Sequence, residues 1–167
     1  FNGCGGMSSL LVALGVALFP ATDGSDGGVT EIIRNLSIVV SLFVGAITFS
    51  GSIVAMAKLQ GWLSTPPWTQ SKARHLFNIF CAVIALVGGV YLSIDGQNGL
   101  FLIVFASSLL GIGVTLPIGG ADMPVVISLL NSYSGVAAAA AGFVVGSQLL
   151  IVAGAMVGAA GLILTKV

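Results

Sequence analysis

The stretch GGADMPVVISLLNSYSG at 119–135 places hydrogen-bonding side chains inside an otherwise apolar segment. Asn131 lies there between Ser128 and Ser132, roughly 10 Å below a helix start at the proline of this stretch, at about 1.5 Å per residue. A side-chain amide in hydrocarbon needs a partner, because leaving it unpaired costs several kcal/mol. The partner of this amide is either a neighbouring helix or water. Neither amides nor hydroxyls titrate near neutral pH, so these groups can hold water but cannot themselves carry a proton.

Two further segments carry comparable stripes of small and polar residues. Steps of three and four residues place the stripe of the second segment on one face of a helix, and the other two segments repeat its pattern. The stripes are Asn2, Gly5, Gly6, Ser9 and Ala13 in the first segment, Ser37, Ser41, Gly45, Thr48 and Ser52 in the second, and Ser128, Asn131, Ser132, Gly135, Ala139 and Gly142 in the fifth. Small residues also let membrane helices approach closely, so close packing is the alternative for any one of them, and for Gly154, Gly158 and Gly161 in the last segment.

Charged residues mark two positions at the predicted membrane surface. Asp122 follows the pair Gly119 and Gly120 and precedes a proline, which fits a helix N-cap. The two glycines also allow this short loop to bend sharply or to press on a partner outside the membrane. His75, the only histidine, follows Arg74 at the start of the third segment. It is either an interfacial side chain without a function or a point of proton entry or of contact with a soluble domain, because histidine as a residue type changes charge near neutral pH.

The elements that position these residues are membrane helices. The chain is 57% hydrophobic and 6% charged, with a mean hydropathy of +1.15, whereas a soluble domain carries about 25% charged residues. We therefore predict an all-α membrane protein, a polytopic bundle of six transmembrane helices in a lipid bilayer. The predicted helices are 2–19, 32–57, 76–94, 100–118, 125–145 and 147–165. The first is short and the chain starts without methionine or signal peptide, so we expect a piece of a longer polytopic chain.

The distribution of charge predicts orientation and excludes one class of partner. A net charge of zero offers no nucleic-acid-binding surface. Basic residues gather on the side that holds the 58–75 loop and the C-terminus, and acidic residues on the other side, with Arg34 as the basic exception and Asp122 as the acidic one. The positive-inside rule then places both termini and the 119–124 loop on the cytoplasmic or matrix side. Cys4 and Cys81 lie in apolar runs and are predicted to be buried free thiols.

Several stretches together resemble the membrane domain of the β subunit of proton-translocating NAD(P) transhydrogenases. The longest is IGGADMPVVISLLNSYSG at 118–135, followed by AAAAAGF at 137–143. TFSGSIVAMAKLQG at 48–61, RHLFN at 74–78 and LLIVAGAMVGAAGLIL at 149–164 agree with it in order. The resemblance covers nearly the whole chain, and the first of these matches is the most specific.

The resemblance implies that this segment carries proton translocation within a transhydrogenase enzyme and does not perform the hydride transfer. It implies that no cofactor or metal binds to this segment, because NAD(H) and NADP(H) bind to soluble partner domains. The NADP-binding domain is expected downstream of the last helix, and further transmembrane helices upstream or in another subunit, beside an NAD-binding domain. The family further implies a homodimer of assembled protomers in a bacterial or mitochondrial inner membrane.

The resemblance also implies roles for single residues. Asn131 and Ser52 match polar residues linked to the proton path, Asp122 matches an acid near the NADP-binding domain, and Gly161 matches a glycine implicated in coupling. Asn2 stands where many members have a proton-binding histidine, so the titrating group is expected upstream or in a partner subunit. Our hypothesis is a hydrated path between the first, second and fifth helices. Its predicted residues are Asn2, Ser52, Asn131, Ser128 and Ser132, and those predicted to couple it to the nucleotide domain are Gly119, Gly120, Asp122, His75, Arg74 and Gly161.

Two alternatives remain at this stage, an autonomous small secondary transporter and a structural scaffold subunit. The six predicted helices contain no centrally placed acid or base and no clear inverted repeat with paired broken helices, which disfavours the transporter. The sequence downstream of Val167 discriminates, because only a transhydrogenase requires a nucleotide-binding domain there.

Overall fold

The computed structural model describes residues 1–19, 28–65, 73–95 and 97–166. The α-helices are α1 (Asn2–Leu18), α2 (Gly28–Leu59), α3 (Ala73–Asp95), α4 (Gln97–Thr115), α5 (Met123–Val145) and α6 (Gln148–Lys166). A 3-10 turn, Gly120–Asp122, directly precedes α5. The described ranges contain no strand, and the predicted all-α membrane bundle is confirmed.

Each predicted transmembrane segment corresponds to one of these helices. Within the described part of the chain, five helices are long and apolar enough to cross a membrane, and α1, at 17 residues, is shorter. The largest difference concerns α2, which runs for 32 residues. At about 1.5 Å per residue a helix of this length exceeds the roughly 30 Å hydrocarbon thickness of a bilayer. Its two ends, with Glu31 and Lys58, therefore reach the membrane surfaces.

The helices form two groups that share α2. Helices α1, α2 and α5 pack against one another, and α5 also packs along α6. Helix α4 packs between α2 and α3, whereas α2 and α3 make only marginal contact. The three helices predicted to enclose a hydrated path are thus mutual neighbours.

Glycines set the closest helix approaches. A methyl group added at Gly6 of α1 would lie 2.8 Å from the backbone oxygen of Gly45 of α2, and one at Gly45 would lie 2.8 Å from the backbone oxygen of Gly6. A methyl group at Gly154 of α6 would lie 2.6 Å from the backbone oxygen of Gly135 of α5. The packing alternative for these glycines is therefore confirmed, since small residues are what permit such contact between membrane helices.

The two cysteines differ in their surroundings. Both thiols are free, and Cys81 is buried as predicted. Cys4 is exposed on α1, so the prediction that it is buried is wrong. An apolar run in a membrane helix indicates contact with lipid or with protein, and the run alone does not distinguish them.

Candidate functional site

A pocket of about 370 Å³ lies where the start of α1 meets the end of α2 and the first turns of α5. Asn2, Ser52 and Gln60 supply its polar side chains. The remaining lining residues are apolar, with Ile127 and Leu130 contributed by α5. The structure thus brings Asn2 and Ser52, which are 50 positions apart in the sequence, to one cavity at one end of the bundle. We call it the Asn2 pocket.

The side-chain amide of Asn2 connects α1 to α5. Its Nδ2 donates a hydrogen bond to the backbone oxygen of Ile127 at 3.0 Å. Asn131 lies one helical turn further along α5, partly buried and on the same face as Ile127. Among the residues described, the Asn131 side chain has no hydrogen-bond partner. A partly buried amide without a protein partner beside a pocket is a place where water binds.

The hydroxyl of Ser52 is an unpaired polar group that lines this pocket. Its Oγ is buried and makes no hydrogen bond within the described part of the chain. A methyl group on Gly3 would lie 3.0 Å from the Ser52 Cβ, so α1 covers this serine closely. Two other hydroxyls of α2 bond to their own helix, Thr48 to the oxygen of Val44 and Ser50 to that of Ala46, at 2.7 and 2.9 Å. Ser52 differs from these two hydroxyls, and an ordered water is one partner that would satisfy it.

The space between α1, α2 and α5 closes beyond this pocket. The backbones of Gly6 and Gly45 meet one turn deeper. Deeper still, the Ser41 hydroxyl lies 3.1 Å from the backbone oxygen of Ser9 and 3.3 Å from that of Ala137, which joins all three helices. The polar stripes of α1 and α2 thus line a pocket at one end and form a close-packed contact in the middle.

The polar residues of α5 divide between two faces. Ser128 Oγ donates to the backbone oxygen of Gly161 at 3.1 Å, and Ser132 Oγ to that of Gly158 at 2.6 Å. These two serines contact α6 and do not line the Asn2 pocket, whereas Asn131 lies on the α1 side. The expectation of a single stripe is wrong in this respect. Helix α5 has partners on both sides, and each of them requires small or polar residues where the backbones approach.

Gly161 of α6 fits between these two serines. A methyl group at this position would lie 2.9 Å from both the Cβ and the backbone nitrogen of Ser132, and 3.0 Å from the backbone oxygen of Ser128. Thr165 Oγ1, one turn later, donates to Ser128 Oγ at 3.3 Å. Gly161 therefore sets the distance between α5 and α6 at the end of the bundle that holds the pocket.

A second pocket, of about 390 Å³, lies at the same end of the bundle. It brings together Arg74 and His75 from the start of α3 with Gly119 and Asp122 from the loop before α5. Arg74 Nε donates to His75 Nε2 at 3.3 Å. Gly120 is exposed in the 3-10 turn beside it. Most residues predicted to contact a soluble partner are therefore neighbours in space, although they come from two distant parts of the sequence. We call this cavity the Asp122 pocket.

Asp122 takes the N-cap position of α5 but makes no capping hydrogen bond through its side chain. The residue is exposed. The capping explanation for this acid is therefore not supported by the geometry. Its carboxylate remains accessible to a partner at the surface.

Two residues that the sequence analysis did not propose hold the same region. Asn78 of α3 donates from Nδ2 to the backbone oxygen of Gly113 at 3.4 Å, and its Oδ1 is buried without a partner among the residues described. Lys58 of α2 donates to the backbone oxygens of Leu116 and Ile118. Both side chains bind backbone at or just after the end of α4. Every helix C-terminus leaves unpaired carbonyl groups, so a donor side chain is expected there. The helix end alone does not indicate which residue supplies that donor.

Comparison with known proteins covers the full chain. The family model described as NAD(P) transhydrogenase beta subunit matches residues 1–167. The NAD(P) transhydrogenase subunit beta of Rhodospirillum rubrum is 40% identical over 168 aligned positions, which cover 100% of this chain and 36% of the relative. A protein of the same description from a designated strain of that species gives the same values. The chain thus spans about 36% of the length of the curated relatives it matches.

Proposed function

This chain belongs to the NAD(P) transhydrogenase beta subunit family, and on that premise we propose that it forms the proton-translocating membrane part of such an enzyme. In this proposal, proton movement through the bundle is coupled to hydride transfer between NAD(H) and NADP(H). Both nucleotides bind to soluble NAD-binding and NADP-binding domains outside this segment. The assembled enzyme is a homodimer of protomers, each with further transmembrane helices.

The observation that carries the proposal is the Asn2 pocket, which is lined by Ser52 with its unpaired hydroxyl. The Ser52 hydroxyl is buried without a protein partner, and the Asn131 amide lies on the face of α5 that Asn2 contacts. Water bound to such groups forms the hydrogen-bonded chains along which protons move through membrane proteins. Because none of these side chains titrates near neutral pH, they hold and orient the water, and the titrating group belongs to another part of the assembled enzyme.

The contact between Gly6 and Gly45 supports a gated path. In this conformation the Asn2 pocket ends one turn above that contact, so a proton entering from this end does not pass through the bundle. Separation of α1 from α2 at these glycines would open the path, and their return would close it. A path open to one side at a time is what prevents protons from leaking while the nucleotide domain changes state.

The Asp122 pocket supports the route by which this state reaches the NADP-binding domain. We place this end of the bundle on the cytoplasmic or matrix side. Asp122 precedes α5 immediately, and Ile127, which Asn2 contacts, lies little more than one turn later. A shift of α5 at the Asn2 pocket would therefore displace the Asp122 loop. By linkage the effect is reciprocal, so the nucleotide state must also alter the affinity of the proton site.

The test is Asn131→Leu in the full-length complex reconstituted into vesicles. Leucine keeps the approximate volume but cannot bind water, so we expect coupled hydride transfer and its proton movement to fall about tenfold, the effect of losing roughly one hydrogen-bonded group. Val136→Leu, on the exposed face of the same helix, is the control and is expected to retain both rates. Wild-type rates in Asn131→Leu would overturn the proposed water path.

A further inference from the structure

Lys58, one residue before the end of α2, holds the segment that follows α4. Its Nζ donates to the backbone oxygens of Leu116 and Ile118, the latter at 2.8 Å, and to the hydroxyl of Thr65 at 3.0 Å. An ammonium group has three donors and no acceptor, so three acceptors satisfy its charged form completely. The two backbone oxygens follow directly on the C-terminus of α4, where the negative end of the helix dipole favours a cation.

The position of Lys58 links the two pockets. On the same helix, Ser52 lies six residues earlier, at the Asn2 pocket. On the other side of the link, Ile118 lines the Asp122 pocket and leads into the 3-10 turn that carries Asp122. Lys58 is thus a direct polar connection between the helix that lines the first pocket and the loop that lines the second.

Apolar contacts also join the same elements. Ala55 of α2 packs in a buried cluster with Met123, Val126 and Leu130 of α5, and Ile118 packs against this cluster. Apolar burial is non-directional. Hydrogen bonds from a charged donor are stronger than neutral ones and have a fixed geometry. The connection through Lys58 therefore adds a directional link between α2 and the 116–122 segment.

We propose that Lys58 is a positioning residue that makes the 116–122 segment move with α2, and so transmits the state of the Asn2 pocket to Asp122. The inference rests on the proposed function, since it presupposes that this state reaches a nucleotide-binding domain. In the absence of the ammonium group, α2 shifts against the apolar cluster and the loop stays behind. The nucleotide domain then changes state without proton movement.

The experiment compares Lys58→Met with wild type in the full-length complex reconstituted into vesicles. Methionine keeps an unbranched stem but removes all three donors. We expect the number of protons moved per hydride transferred to fall about tenfold, as for the loss of charge-assisted hydrogen bonds. Lys58→Arg is expected to restore most of this ratio, because a guanidinium can donate to the same carbonyls. If Lys58 acted only through packing, Lys58→Arg would not restore the ratio, because arginine keeps the charge but differs in shape.

Arg34→Met is a matched control. Arg34 also donates to a backbone oxygen near a helix end, that of Val16 in α1 at 3.4 Å, but at the opposite end of the bundle. This variant loses a comparable cation–carbonyl contact and is expected to keep the wild-type proton-to-hydride ratio. An equal loss in Arg34→Met, or a wild-type ratio in Lys58→Met, would overturn the assignment.

Two further results separate the possible failures. If Lys58→Met does not assemble, Lys58→Gln retains two N–H donors and is expected to assemble with a partial loss of the ratio, and an unchanged ratio in that variant overturns the inference. If the wild-type complex transfers hydride without moving protons, the proposed function fails, whatever the variants do. If wild type moves protons and every Lys58 variant does so equally well, only the role of Lys58 fails.

Discussion

The side-chain nitrogen of Asn2 lies 3.0 Å from the backbone oxygen of Ile127, 125 positions away in the sequence. In an α-helix this oxygen also accepts the backbone N–H of the residue four positions later, which here is Asn131. A carbonyl oxygen has two lone pairs and can accept both donors. The first turn of α1 is thereby fixed to the turn of α5 that carries Asn131, at the wall of the Asn2 pocket.

This contact predicts a defined effect for Asn2→Leu. Leucine fills similar space but loses the donor, so α1 is released from α5 and the pocket loses one polar wall. We expect coupled proton movement to fall about tenfold and the complex to lose about 1 kcal/mol of stability, as for one hydrogen bond. Proton uptake into vesicles and thermal unfolding measure the two effects. Ser8→Ala is the control, because that exposed hydroxyl bonds only within α1, to the backbone oxygen of Gly5.

Ser52→Ala tests whether water is bound at the Ser52 hydroxyl. Because the Ser52 Oγ has no partner among the described residues, its removal is expected to leave thermal stability unchanged or slightly raised. Coupled proton movement is nevertheless expected to fall severalfold, since the water loses its anchor. Ser50→Ala is the matched control, because Ser50 bonds to the backbone oxygen of Ala46 in its own helix, and we expect no change in its rate. A wild-type rate in Ser52→Ala would mean that the site is dry.

The helices could be predicted from sequence because a bilayer leaves a chain few choices. In hydrocarbon every backbone polar group must be satisfied internally, so each long apolar run must form a helix. The stripes on α1 and α2 also predicted which helix faces pack together, because each of these helices turns its small residues toward the same neighbours. Ser41 illustrates this, because its hydroxyl contacts the backbones of both α1 and α5.

The arrangement of α5 could not be predicted in the same way. Asn131 and Ser132 are adjacent in sequence, but Ser132 bonds to α6 and Asn131 lies on the face of Ile127, because a helix in the middle of a bundle presents polar residues on more than one face. Periodicity indicates that a face is small or polar and does not indicate which helix it meets. The contacts of Lys58 and Asn78 have no local pattern at all, since their acceptors lie 58 and 60 positions away for Lys58 and 35 positions away for Asn78.

Gly161→Ala tests whether the spacing of α5 and α6 is fixed by this glycine. The added methyl group would lie 2.9 Å from the Cβ of Ser132, so α6 must move away and weaken the hydrogen bond from Ser128. We expect a loss of about 1–3 kcal/mol in stability, as for overpacking elsewhere, measured by thermal unfolding of the complex. Gly15→Ala in α1 is the control, because a methyl group there meets nothing within 4 Å. Equal effects of the two changes would contradict the role of Gly161 in setting the spacing.

Asp122→Asn tests whether the acid before α5 acts on a partner or on its own helix. The carboxylate is exposed and makes no capping hydrogen bond through its side chain, so we expect the thermal stability of the complex to stay unchanged. The rate of NADP(H) release is expected to change severalfold, and the difference from wild type should shrink at high ionic strength, because exposed charge interactions are screened by salt. Glu31→Gln removes an exposed acid at the opposite end of the bundle and is expected to leave nucleotide release unaltered. Reduced thermal stability with unchanged NADP(H) release in Asp122→Asn would instead show that the carboxylate acts only on α5.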